Sequence, residues 1–280
     1  MHVSISLLLC VIDNVMGVTQ LHNIVYIISR QSSAISRFNA LTHQRLPDVD
    51  VKNLKQPWDI AACEQTSVVY VADDACVWRV SSEDEDTKHW LPKSPSDTFK
   101  TWALSVTSSR LLVTSPNNTK QLIQFDAVGD ELIRVDLPND MEPRHAIETT
   151  TGTFIVSHIN TQLEQYQVSE VNTGGKVLRN FSGSLLLPLS YTPDIAVDLK
   201  GNLFVADHDN RRILLLNSEL TLRRVIIDEH QLNDKYPLSL CYSETSGLLV
   251  GFDGGVAVCF IDKRTRGAPN ADISLQSGRF

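Results

Sequence analysis

Six short apolar runs recur along the chain at a nearly constant spacing, and no other feature limits its folding as strongly. Counted between equivalent residues (Ile27 in IVYIIS, Val71 in VVYVAD, Val113 in LLVTS, Val156 in FIVSH, Val205 in LFVAD and Val250 in LLVGF), the steps are 44, 42, 43, 49 and 45 residues. Such a period marks an array of small units, each unable to bury its apolar face alone and stable only against its neighbours. Long helical patterns are scarce, whereas short β-rich runs bounded by turn residues recur throughout.

Each unit reads as four strands. About ten residues before the marker run lies another, opening at Pro57, Thr101, Pro143, Pro193 and Pro237. Proline suits a strand start, where its missing N–H breaks no ladder bond. Third runs follow (CVWRV, QLIQF, LEQYQV, RILLLN, VAVCFI), then fourth runs such as ELIRVDL and LRRVII. Four strands in 42 to 49 residues fit a propeller blade rather than a helical solenoid. The expected fold is therefore all-β: a six-bladed β-propeller with four antiparallel strands per blade over residues 1–262, followed by a polar tail at 263–280.

Ring closure gives an independent expectation. The strand pairing with the Ile27 run should lie near Val15 to Val18, which leaves VSISLLLCVI at residues 3–12 one strand too early for that blade. The last blade has three runs, ending near Ile261. An N-terminal strand completing it would remove two open edges at once. The same residues also fit the apolar part of a signal peptide, although no Lys or Arg precedes them and Asp13 closes the run. No segment reaches the length of a transmembrane helix.

The fifth unit, PDIAVDLKGNLFVADHDNRRILLL at 193–216, resembles the NHL repeat, and the unit at Pro57 does so less closely. The other units keep the spacing and the apolar pattern with few of the polar residues. The resemblance implies a non-catalytic binding or scaffold module, usually for protein and often at the C-terminus of larger chains, including tripartite-motif ubiquitin ligases. This chain carries no RING or B-box Cys/His pattern, so ligase activity would reside elsewhere or be absent. RNA binding is known among NHL relatives and would need a basic face. Six-bladed propellers also include calcium-dependent hydrolases of the gluconolactonase type. That alternative would use calcium at Asp59, Asp194 and Asp207, with Pro193-Asp194 similar to one element of their metal site. Amidating-lyase propellers share the VAD and Asn-Arg elements, but position 144 is Arg where they have a His after Pro.

The formal charge of −8 opposes a polyanionic partner. The basic clusters Arg211–Arg212, Arg223–Arg224 and Lys263, Arg264, Arg266 read as solvated edges, as does the acidic run Glu83 to Asp86. Five cysteines without CxxC spacing (Cys10, Cys63, Cys76, Cys241, Cys259) indicate buried thiols in a reducing, cytoplasmic compartment. The triplets at Asn117 and Asn180 satisfy the glycosylation rule but arise by chance in so Asn/Ser/Thr-rich a chain. No GxSxG elbow, HExxH or phosphate-binding glycine loop is present.

In a four-stranded blade the loops joining the fourth strand to the next blade and the second strand to the third share one face. That face would collect Trp58, Asp59, Asp73, Asp74, Trp102, Arg144, His145, His158, Asp194, Asp207, His208, Asp209 and Arg211. Asp73 and Asp207 end their strands where a short carboxylate caps loop N–H groups, and Asp198 does likewise in its DLKGN turn. Trp58 and Trp102 occupy equivalent positions and serve either packing between blades or contact with a partner. His145, His158 and His208 are ordinary loop histidines on this reading, the alternative being zinc ligation.

Overall fold

The four-strand units form as the sequence pattern predicts. The computed structural model describes residues 3–8, 14–30, 32–74, 76–83, 86–92, 100–115, 120–184, 187–252 and 255–261, with the backbone alone at 3–8 and 257–261. Cys10, the sequon at Asn117 and the expected tail at 263–280 fall outside these residues.

Six four-stranded antiparallel sheets make a six-bladed propeller, and the described residues contain no helix. From the channel outward, blade 1 comprises Val15–Leu21, Ile24–Ser29, Ala34–Asn39 and Arg45–Asp50. Blade 2 comprises Asp59–Cys63, Val68–Asp73, Cys76–Ser81 and Thr87–Leu91. Blade 3 comprises Ala103–Thr107, Arg110–Ser115, Gln121–Phe125 and Glu131–Asp136. Blade 4 comprises Met141–Glu148, Phe154–Asn160, Gln165–Val171 and Val177–Phe181. Blade 5 comprises Ile195–Val197, Leu203–Asp207, Arg212–Leu216 and Leu222–Ile227. Blade 6 comprises Pro237–Ser243, Gly247–Phe252, Gly255–Ile261 and, as its outermost strand, Val3–Leu8.

The apolar run near the N-terminus thus closes the ring, pairing Val3 with Ile261 through Leu8 with Val256. The longest step between units, before Val205, accommodates an extra ribbon in which Gly183–Ser184 pairs with Leu187–Pro188. Pro143 departs from the expectation of a strand start. It lies third in its strand, at a bulge where pairing shifts between Pro143 and His145, and a bulge tolerates its missing N–H.

Packing explains why the marker runs read as continuous apolar stretches. The second strand of each blade is covered on both faces by neighbouring blades, and Val68–Asp73 is buried at every position. The outermost strands meet solvent and alternate instead, as in Glu131–Asp136. Each boundary between adjacent blades holds one apolar cluster: Tyr26, Ile28, Ile60 and Val71 between blades 1 and 2, for example, and Phe204, Ala206, Leu248 and Val250 between blades 5 and 6. Burying one such side chain contributes about 1.5–3 kcal/mol, so the ring is held by its six boundaries rather than by a common centre.

Candidate functional site

Inner strands have one unpaired edge, and in a closed ring that edge faces the channel. Its N–H groups need acceptors, because an unpaired buried N–H is costly. The register identifies equivalent residues: Val18, Ile60, Leu104, Ala146, Ile195 and Leu240 each oppose the marker residue of their blade. One residue earlier stand Gly17, Asp59, Ala103, His145, Asp194 and Ser239, and of these Asp59, Asp194 and Ser239 supply acceptors. Asp59 takes the N–H of Ile60 at 2.7 Å on one oxygen and that of Leu104, in the next blade, at 2.7 Å on the other. Asp194 repeats this across the ring with Ile195 and Leu240, both at 2.7 Å. Ser239 Oγ accepts from Val18 N at 3.1 Å and joins blade 6 to blade 1.

His145 lies between the two carboxylates. Its Nδ1 is 3.3 Å from Asp194 Oδ1, and its Nε2 is 3.7 Å from Asp59 Oδ2 and 3.1 Å from Leu104 O. A carbonyl can only accept, so Nε2 carries hydrogen. Blade 1, directly opposite, presents Gly17 at this level and therefore no side chain. Asp59, His145 and Asp194 are all buried, at 8%, 5% and 6% exposure. Burial, followed by the nearby Asp194 charge, pushes the Asp59 carboxyl up to about 7, against the opposing pull of His145 and the two N–H bonds.

These three side chains divide the channel. Above them is a mouth of about 70 Å³ lined by Met16, Trp58, Trp102, Tyr191, Pro193 and Leu238. Below them a chamber of about 250 Å³ runs toward the opposite face, and Asp59, His145 and Asp194 line both spaces.

The upper mouth continues into an arc of stacked side chains. Trp58 and Trp102 lie 4.8 Å apart at 16°, so the equivalent tryptophans pack on each other. Arg30 covers Trp58 at 5.6 Å, and Arg144 sits over both Trp102 at 5.5 Å and Tyr191 at 5.8 Å. From Tyr191 the arc passes to His208 at 5.3 Å and Tyr236 at 5.0 Å, ending with Arg211 over Tyr236 at 5.7 Å. Loops or strand ends of all six blades thereby contribute to this face or its rim.

Other residues expected on the face have local tasks. Asp73 accepts from Lys55 N, Gln56 N, Asp74 N and Trp78 Nε1, which fixes the entry to blade 2, while Asp74 itself is exposed. Asp207, fully buried, accepts from Ser190 N and Oγ, Asn210 Nδ2 and Arg212 Nε. Its carboxylate is consumed there, so a calcium ion held jointly by Asp59, Asp194 and Asp207 does not fit this arrangement. Among the described residues no three His, Cys, Asp or Glu side chains are placed to hold a metal ion. Asp198 caps its turn through Lys200 N and Asn202 N. Asp209 pairs with His208 Nδ1 at 2.7 Å. The three histidines do not converge: His158 is buried inside blade 4 at 2% exposure with Nε2 2.8 Å from Ser169 Oγ, away from the mouth. Burial lowers its pKa to about 4. Cys63, Cys76 and Cys241 are free thiols.

Arg30, Met16, Tyr191, Tyr236 and Ser239 belong to the site without having been singled out from the sequence. Met16 and Leu238 share the position of Trp58 and Trp102, so the repeat alignment contains a signal for them; the loop residues Arg30, Tyr191 and Tyr236 have none.

No protein-family model matches the chain, and no curated protein sequence does. Solved structures share its architecture at low identity. The WD40 β-propeller domain of Doa1 superposes with a TM-score of 0.65 at 13% identity, covering 94% of this chain and 98% of that one. A streptogramin B lyase gives 0.64 at 9% identity, with 93% and 98% covered. Virginiamycin B lyase from Staphylococcus aureus gives 0.64 at 10%, with 93% and 99% covered. The chain is a β-propeller. At these identities the likeness concerns the fold alone.

Proposed function

We propose that this propeller is a protein-binding module that receives its partner on the face around the upper channel mouth. The observation that carries this reading is the unbroken arc Arg30, Trp58, Trp102, Arg144, Tyr191, His208, Tyr236 and Arg211. Trp, Tyr and Arg dominate binding energy at protein interfaces: Trp and Tyr bury a large area with few torsions to immobilise, and Arg adds a planar fork of donors that stacks on aromatic rings. Stacking fixes these groups before the partner arrives, which reduces the entropy lost on association. The resemblance of the fifth repeat to NHL domains supports the same role.

Charge favours protein over RNA. Arg144 pairs with Glu142 at 3.1 Å, Arg211 with Asp234 at 2.9 Å, and Arg212 with buried Asp207 at 2.5 Å, so these guanidiniums already have carboxylate partners. Phosphate binding needs basic groups whose counterions are released to solvent. The test is to recover the partner by affinity capture, identify it, and measure its affinity for the purified chain and for the double variant Trp102→Ala, Arg144→Ala. Leu199→Ala, at an 80% exposed turn on the opposite face, is the control. A loss of roughly tenfold or more in the double variant alone is expected. Equal binding by all three proteins would overturn the reading, and a partner removed by ribonuclease would transfer the face to RNA.

A further inference from the structure

The chamber below the Asp59–His145–Asp194 constriction has a chemistry the upper face does not share. Its walls come from all six inner strands, and three carboxylates line it: Asp59 and Asp194 at the closed end, Glu64 at the open one. No Lys or Arg side chain is among its lining residues. Acceptors there also lack donors. Gln20, 8% exposed, gives its Nε2 to His22 O at 2.7 Å and Thr245 Oγ1 at 2.8 Å, and its Oε1 has no partner. Because His22 O can only accept, the amide cannot be turned round, and the orphan is an oxygen. Ser105 Oγ, on the inner strand of blade 3, also lacks a hydrogen-bond partner. Such groups are exceptions that require an account, since nearly all buried polar atoms are paired.

A cavity with surplus negative charge and unpaired acceptors is complementary to a donor-rich cation. The size agrees: about 250 Å³ corresponds to roughly eight waters at about 30 Å³ each, enough for an aliphatic stem of several carbons with its charged head. The walls between the polar groups are apolar, from Ala62, Val106, Ile147, Val197 and their neighbours, which suits a methylene stem. We propose that this lower chamber binds a primary ammonium or guanidinium on an aliphatic stem, with the head group beneath His145 against the chamber side of Asp59 and Asp194 and the stem leaving past Glu64. Two sources present this chemistry, a free diamine and the Lys or Arg side chain of a peptide.

The proposal carries a proton signature. The titratable groups facing the chamber are Asp59, Glu64, His145, Asp194, Cys241 and Tyr242. Burial pushes the Cys241 thiol up to about 11 and raises the Tyr242 phenol, so both stay neutral between pH 6 and 8. A cation beside Asp59 favours its ionised form and releases the proton held there near pH 7. Affinity should therefore rise with pH through this window, by up to about tenfold per unit while Asp59 is protonated.

The test is calorimetric titration of the full chain with 1,5-diaminopentane, with a short peptide containing one lysine, and with the same peptide acetylated on that lysine. Saturable binding by the diamine or the free-lysine peptide, with proton release and none by the acetylated form, is expected, and the tighter ligand identifies the source. Ser105→Phe fills the chamber without removing a hydrogen bond and should abolish binding. Glu64→Gln, at an exposed position, should weaken it a few-fold and serves if the phenylalanine variant does not fold. The inference fails if neither amine binds at millimolar concentration, or if binding is indifferent to these variants and to pH. It stands independently of the partner face, which lies at the other mouth.

Discussion

Replacing Asp59 by asparagine isolates the electrostatic cost of the channel constriction. Burial and Asp194 raise the Asp59 carboxyl from 3.8 to about 7. A carboxyl whose folded-state pKa is raised binds its proton more tightly folded than unfolded. Its contribution is fully present below the unfolded value near 4 and is lost as pH rises through about 7. Three units correspond to about 4 kcal/mol over the whole range, and integration between pH 5 and pH 8 gives about 3 kcal/mol. Asp59→Asn removes the titrating carboxyl and with it this loss. The variant also loses one acceptor, leaving Ile60 N or Leu104 N unbonded at a pH-independent cost of about 1–3 kcal/mol. Urea unfolding of both proteins at half-unit steps from pH 5 to 8 measures the difference, in which every other group cancels. Wild type should be the more stable by about 1–3 kcal/mol at pH 5, and its stability relative to the variant should fall by about 3 kcal/mol by pH 8, closing or inverting the gap. Parallel stability curves would refute the assignment of a buried, charge-opposed carboxyl to Asp59.

Further perturbations probe other parts of the ring. His158, lowered to about 4, has the opposite sign: its contribution is complete above 6.5 and falls by up to about 3 kcal/mol as pH drops toward 4, so His158→Gln should flatten the acid limb of the unfolding midpoint. Removing residues 1–8 exposes the edge of Gly255–Ile261 and should lower the urea midpoint of the whole chain. A synthetic peptide of residues 1–13 added in trans should restore it, and no restoration would contradict closure by that strand. Gly17→Ala would place a methyl 2.9 Å from Ile60 Cγ2 and 3.1 Å from Ile28 Cδ1, a clash expected to cost about 1–3 kcal/mol by thermal or chemical unfolding.

The architecture was legible because its cause is repetitive. Every marker residue from Ile27 to Val250 pairs with an equivalent inner-strand residue, and all are nearly inaccessible, since each blade meets the same two neighbours. The carboxylate clamps were half legible: Asp59-Ile60-Ala61 and Asp194-Ile195-Ala196 repeat one tripeptide in opposite blades, and the same hydrogen bonds follow. What they enclose was not. At Pro143 the sequence reads as Arg144 first and His145 displaced by one, yet the bulge between Pro143 and His145 absorbs that displacement and brings the imidazole to the level of the aspartates. A bulge is a property of pairing, so it leaves little trace in a single strand. The aromatic arc escaped for a different reason, since Arg30, Tyr191 and Tyr236 come from loops of unequal length that no period aligns.

The same comparison locates where the ring departs from its own symmetry. Blades 2 and 5 carry Asp59 and Asp194 at the constriction, and blades 3 and 6 answer with the N–H groups of Leu104 and Leu240. Blades 1 and 4 differ, with Gly17 facing His145. A strictly two-fold ring would leave two buried carboxylates facing each other without a cation, an arrangement whose mutual repulsion is already visible in the raised Asp59. The imidazole closes the channel between the two carboxylates, and the proton held by Asp59 relieves their repulsion where no ligand from the lower chamber does so. Blades 1 and 4 are therefore where the ring breaks its own two-fold pattern at the constriction.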